Sequence, residues 1–162
     1  MERHFDILDK QEEMLRFEHF THADALDFGL FMINRAKDLG LCVSVSIRSA
    51  DGAILFQYLP AGTNRLNDNW MRRKANTVLL MECSSLKATY NLERNGETLS
   101  DNGLSSADYA LCGGGFPLRL KDGTMVGAAI ASNMFHIADH EFIAGSLREY
   151  LGCPYVPAYP YE

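Results

Sequence analysis

Two hairpin signatures, set well apart in the chain, constrain the fold more than any other feature. From Cys42 to Arg48, Val43, Val45 and Ile47 alternate with Ser44, Ser46 and Arg48. That is the period of a half-buried strand with one apolar and one polar face. Asp51-Gly52 follows, a pair suited to the positive φ angles of a type I′ turn. On the return, Ile54, Phe56 and Tyr58 alternate with Leu55 and Gln57 until Pro60 and Gly62 stop the strand. The second signature runs from Gly115 to Leu120, turns through Lys121-Asp122-Gly123-Thr124, and returns from Met125 to Ala131. Two hairpins of this kind make one mostly antiparallel sheet, and its apolar face needs cover.

Helical periodicity supplies the cover. Phe5 to Leu15 reads as a short helix, and Thr21-His22-Ala23-Asp24 opens a second, with Ala23, Leu26, Leu30 and Ile33 at helical spacing and Gly40 at its C-cap. Asn67-Asp68-Asn69 offers N-caps for a helix from about Trp70. Ser84-Ser85 interrupts that helix, and a further helical piece runs to Asn95-Gly96. Asp139 reads as the cap of a last helix, to about Leu151. The order is helix, hairpin, helices, hairpin, helix, which is α+β: an antiparallel sheet of two hairpins flanked by helices. At 162 residues this is one domain, expected over residues 1–153. A Pro/Tyr-rich tail over residues 154–162 is expected to dock on its own chain or a neighbour's, because its tyrosines are costly to leave wet.

Charge and cysteine usage exclude several classes of function. Lys plus Arg is 15 and Asp plus Glu 21, a net charge of −6, which argues against wrapping nucleic acid. No apolar run approaches the ~20 residues of a membrane span. The first residues, Met1 to Asp6, lack a basic segment followed by an apolar one. The expectation is a cytoplasmic protein with no nucleic-acid or membrane partner. Cys42, Cys83, Cys112 and Cys153 are expected as reduced thiols, and their spacing holds no C-x-x-C pair.

Asp68-Asn69-Trp70 followed by Arg73-Lys74 and then Ser84-Ser85, with Gly113-Gly114-Gly115-Phe116-Pro117 and Asp139-His140 further on, resembles the GlcG- and HbpS-like family often labelled a haem-degrading domain. The resemblance covers most of the chain. It implies a profilin-like sheet flanked by helices, a homo-oligomer, and haem or another small ligand as partner. The chain departs from the family pattern in three places. Cys83 and Cys112 stand where such proteins often have histidine, and Ser132-Asn133-Met134 stands where Ser-Gly-Leu is expected.

Each candidate site residue has a chemical and a structural reading. Arg73 or Lys74, beside Asn69 and Trp70, suits a carboxylate or propionate; alternatively, one of them lies over Trp70 or pairs with an acid. His140, in the first turn of the last helix behind Asp139, is a candidate acid/base or haem ligand; equally it suits a structural or interface histidine. Capping at Asp139 puts His136 outside that helix, so no i,i+4 metal pair is expected. Cys112 is a candidate axial thiolate or a small buried hydrophobe. The amides of Gly113 and Gly114 suit an anion, or the glycines permit close backbone approach. Ser84 offers a hydroxyl or caps the next helix. His19 and His22 make an incomplete metal pair.

The resemblance implies a homo-oligomeric protein that binds haem or a small anionic ligand, and the residues point to binding without fast turnover, since no nucleophile–base pair or complete metal set is visible. Two competing readings remain. One is an enzyme using His140 as acid/base on a small anionic substrate. The other is a non-catalytic scaffold assembling through the Trp70 helix and the tail.

Overall fold

The two hairpins join edge to edge through their inner strands. The computed structural model describes residues 1–160, so Tyr161 and Glu162 of the expected tail lie outside the described residues. Strands β1 (Ser44–Ser49) and β2 (Ile54–Tyr58) form the first hairpin, and β3 (Gly115–Arg119) and β4 (Met125–Ser132) the second. The sheet order is β2-β1-β4-β3, antiparallel throughout, with Val45 opposite Ala131 and Ile47 opposite Ala129 at the join. Among the described residues there are five α-helices: α1 (Glu2–Met14), α2 (His22–Asp38), α3 (Arg65–Met81), α4 (Ser85–Asn95) and α5 (His136–Leu151), of which α2 to α5 pack on the sheet. The α+β architecture is the one the sequence implies. Among the described residues no helix is long and apolar enough to cross a membrane.

Both hairpins turn in the same way, and not as type I′. Only Gly52, and not Asp51, has positive φ, at 91°. The Gly52 N–H donates to the Ser49 carbonyl and the Ser49 N–H to that of Ala53, each at 2.9 Å. Gly123, with φ 93°, repeats the pattern with Leu120 and Thr124. Each loop is a three-residue turn closed by a left-handed glycine.

Strand β1 is buried on both faces, not half-buried. Val43, Val45 and Ile47 pack with Phe28, Met32, Phe142, Ile143 and Leu147 of α2 and α5. On the other face, Met71, Ala75 and Val78 of α3 pack on Ala128 and Ile130 of β4. The serines of β1 survive burial because they are bonded, as where the Ser44 hydroxyl donates to the Ser132 carbonyl at 3.0 Å.

Two helices begin earlier than their sequence signals suggest, and both shifts matter for the site. Helix α3 starts at Arg65 because Asn64 and Asn67 cap it reciprocally, each side-chain oxygen taking the other end's backbone N–H. Helix α5 starts at His136, so Asp139 lies inside its first turns and is not its cap. The tail folds back on its own chain. Val156 enters the main core, and Tyr159 packs with Leu8 and Leu86. Gln11 donates to the Pro157 carbonyl at 2.9 Å, and the Tyr159 N–H donates to Glu141 at 2.9 Å.

Candidate functional site

The N-termini of α3 and α5 open onto one cavity of about 470 Å³ beside the end of β4. Its floor is an ion pair drawn from two helices. Lys74 of α3 donates to Asp139 of α5 at 3.0 Å and to the Ala131 carbonyl of β4 at 2.9 Å. The second carboxylate oxygen of Asp139 accepts the Met134 N–H at 3.0 Å. Burial pushes the Asp139 carboxyl up to about 6, against the opposing pull of Lys74.

The glycine run lets the backbone wedge in behind this pair. A Cβ on Gly113 would stand 2.4 Å from the His136 carbonyl oxygen. A Cβ on Gly114, whose φ is 119°, would stand 2.6 Å from both the Ala131 oxygen and Lys74 Nζ. The glycines therefore serve close approach. The Gly113 N–H is spent on His136 Nδ1 at 3.0 Å and the Gly115 N–H on Ser85 Oγ at 2.9 Å.

Trp70, Lys74, Cys112 and Asp139 all line the cavity. Burial pushes the Cys112 thiol above its ordinary range. Arg73 stands outside the cavity. Its guanidinium lies 4.3 Å from the Trp70 ring centroid and donates to the carbonyls of Ser106 and Tyr109. Asn69 is exposed and accepts from Arg72. Ser84 sits beyond the far end of α3, where it caps α4 by accepting the Lys87 N–H.

His140 is the main correction. It is fully buried in the core, not in the cavity. Its Nε2 meets the Gln11 side-chain oxygen at 2.8 Å, so Nε2 carries the proton; Nδ1 has no partner among the described residues. Burial, then Arg148 and His136, pull its pKa down to about 3. A neutral ring enclosed in this way reaches neither a substrate nor an iron. His136, placed outside the helix by the sequence reading, is on α5 and lines the cavity instead. The two histidines are one turn apart yet point to different partners. Among the described residues no three His, Cys, Asp or Glu side chains gather as a metal site.

The sequence reading missed Asn64, Asn67, Met134 and His136, all of which line the cavity. The available signal was the Asn64-x-x-Asn67 spacing, a reciprocal cap that moves the start of α3 to the cavity mouth. Leu66 on this lip is 64% exposed, and Phe135, which lies in the chain between the lining residues Met134 and His136, is 60% exposed.

Comparisons with known proteins agree with this architecture. The sequence model of the family described as haem degrading protein HbpS-like matches residues 20–147. A UPF0303 protein of Yersinia enterocolitica, YE1367, is 34% identical over 146 residues, 90% of this chain and 86% of that protein. The crystal structure of the Ybr137w protein superposes with a TM-score of 0.83 at 24% identity, over 91% of this chain and 87% of that one. That of a PduOC:heme complex superposes with a TM-score of 0.67 at 19% identity, over 79% and 92%.

Proposed function

The chain belongs to the HbpS-like family, and on that premise we propose that it is a small-ligand-binding protein that takes its ligand where α3 and α5 begin. The observation that carries this reading is the cavity itself. It joins a half-apolar lip, with Leu66, Trp70 and Met134, to a polar floor built on a buried ion pair. A volume of about 470 Å³ lies within the ordinary range for small-ligand pockets. Haem is the ligand that the family's description and the PduOC:heme complex support.

The reading includes a homo-oligomer. Leu66 on the lip and Phe135, next in the chain to the lining residues Met134 and His136, both leave large apolar surface in water, and a second copy is the occupant that would cover such surface. Light scattering of the full chain tests this: a monomeric mass at micromolar concentration sinks the oligomer.

Trp70 is the sole tryptophan of the chain, so its fluorescence reports the cavity directly. Titrating haem into the full chain is expected to quench Trp70 saturably. An unchanged signal, with no Soret change, sinks haem as the ligand.

A further inference from the structure

Around the cavity the side-chain oxygens of Asn64, Asn67 and Asp139 each already accept a hydrogen bond. Asn64 Oδ1 accepts the Leu66 N–H and Asn67 Oδ1 the Asn64 N–H, both at 2.9 Å. Capping thus engages one lone pair of each carbonyl oxygen and fixes the opposite end of each side chain as the NH2 donor. That of Asn67 reaches only Ser132 Oγ at 3.4 Å and Asn133 Oδ1 at 3.3 Å, at the weak limit of a hydrogen bond. Both carboxylate oxygens of Asp139 are engaged, by Lys74 and by the Met134 N–H.

His136 is fixed as a donor. Its Nδ1 accepts the Gly113 N–H, so Nδ1 carries no proton, and the neutral ring holds its proton on Nε2. Burial, then Lys74, keep that ring neutral by lowering its pKa. Lys74 is 3% exposed and has two partners for three N–H groups, so one donor of a buried ammonium remains at the cavity floor. Trp70 adds an indole N–H that can only donate. Two helices of 17 and 16 residues also begin here, each with the positive end of its dipole toward the site.

We propose that the cavity recognises an organic acid by its carboxylate and forms no bond to a metal. This rests on the cavity being the ligand site. It parts from the haem reading on one point, which is that iron finds no built axial donor. A histidine that ligates through Nε2 normally donates its Nδ1 proton to a second group, whereas here Nδ1 faces the Gly113 N–H and cannot carry one. The Cys112 thiol is held protonated by burial, and the metal ligand is the thiolate. Met134 brings a thioether, which partners an imidazole in the haem proteins that use it, and among the described residues His136 is the histidine lining the cavity, with its Nδ1 lone pair taken by the Gly113 N–H. A porphyrin here would be held by its carboxylate edge and its apolar face.

The test compares five probes on the full chain: haem, metal-free protoporphyrin, the dimethyl ester of that porphyrin, cinnamate and cinnamamide. Trp70 fluorescence follows the porphyrins and calorimetry follows the small acid and amide. Haem and the metal-free dicarboxylate are expected to bind within about threefold of each other. The ester and the amide should bind about tenfold or more weakly than their acids. His136→Phe should weaken every acid by a similar factor while its thermal midpoint shows that it still folds. Haem binding about tenfold tighter than metal-free porphyrin would overturn the inference and leave the cavity as a ligand site. Cinnamate binding without porphyrin binding would support the inference and remove haem. Binding by no carboxylate would overturn the inference.

Discussion

Lys74 and Asp139 meet at 3.0 Å beneath the cavity with 3% and 2% of their side-chain surface exposed. Neither charge has water to fall back on, so each depends on the other. Lys74→Met should therefore destabilise the fold by roughly 3–5 kcal/mol, whereas Lys74→Met with Asp139→Leu should recover most of that loss. Urea denaturation of the two variants checks this. A double variant as unstable as the single one would mean that the pair is not an isolated coupling.

His140 makes stability depend on pH. Its pKa is 6.5 when free and about 3 when folded. Its contribution is complete above 6.5 and is lost as pH falls through about 3, because only the unfolded chain takes up the proton in between. From pH 6.5 to 4 this amounts to on the order of 3 kcal/mol. Asp139, raised from 3.8 to about 6, works in the opposite direction between those values. His140→Gln keeps a partner for Gln11 and does not titrate, so its stability should fall less steeply over that range than that of the native chain. Parallel pH profiles of the two proteins would refute the assignment.

Gly114→Ala should fold less stably by about 1–3 kcal/mol and lose ligand, since its φ of 119° and the approach of Ala131 O and Lys74 Nζ leave no room for a methyl group. Ser84→Ala should cost about 1 kcal/mol as a lost cap and leave ligand affinity unchanged, because Ser84 caps α4 and is not among the residues lining the cavity. Thermal unfolding and Trp70 titration of both variants separate the two effects.

Tyr159 ties the tail to α1 and α4 through hydroxyl contacts with His4 and Tyr90. Tyr159→Phe should cost about 1 kcal/mol and Tyr159→Ala roughly 3–5 kcal/mol, read as a fall in thermal midpoint. If the tail instead serves assembly, Tyr159→Ala should change the particle mass on light scattering with little change in midpoint.

The element order and both hairpins were legible because strand alternation and a glycine after an aspartate act over a few neighbouring residues. The start of α3 was misread because Asn64, Asn67, Asp68 and Asn69 all suit a cap, and only the reciprocal bonding of Asn64 and Asn67 selects one. The polar stripe of β1 looked solvent-facing because its serines give no sign that backbone partners and the packing of α3 take them out of water. Within the site, Trp70, Lys74, Cys112 and Asp139 were readable from their motifs, and His136 was lost with the misplaced start of α5.

The sequence by itself determined the α+β class, the two hairpins and the residues available for chemistry, because those properties are carried by near neighbours. Tertiary structure alone decided which of those residues can act. Lys74 meets Asp139 across 65 positions, Gly113 sets the His136 tautomer across 23, and Gln11 locks His140 in the core across 129. Protonation and access depend on what packs against a group, and that packing comes from parts of the chain with no local relation to it.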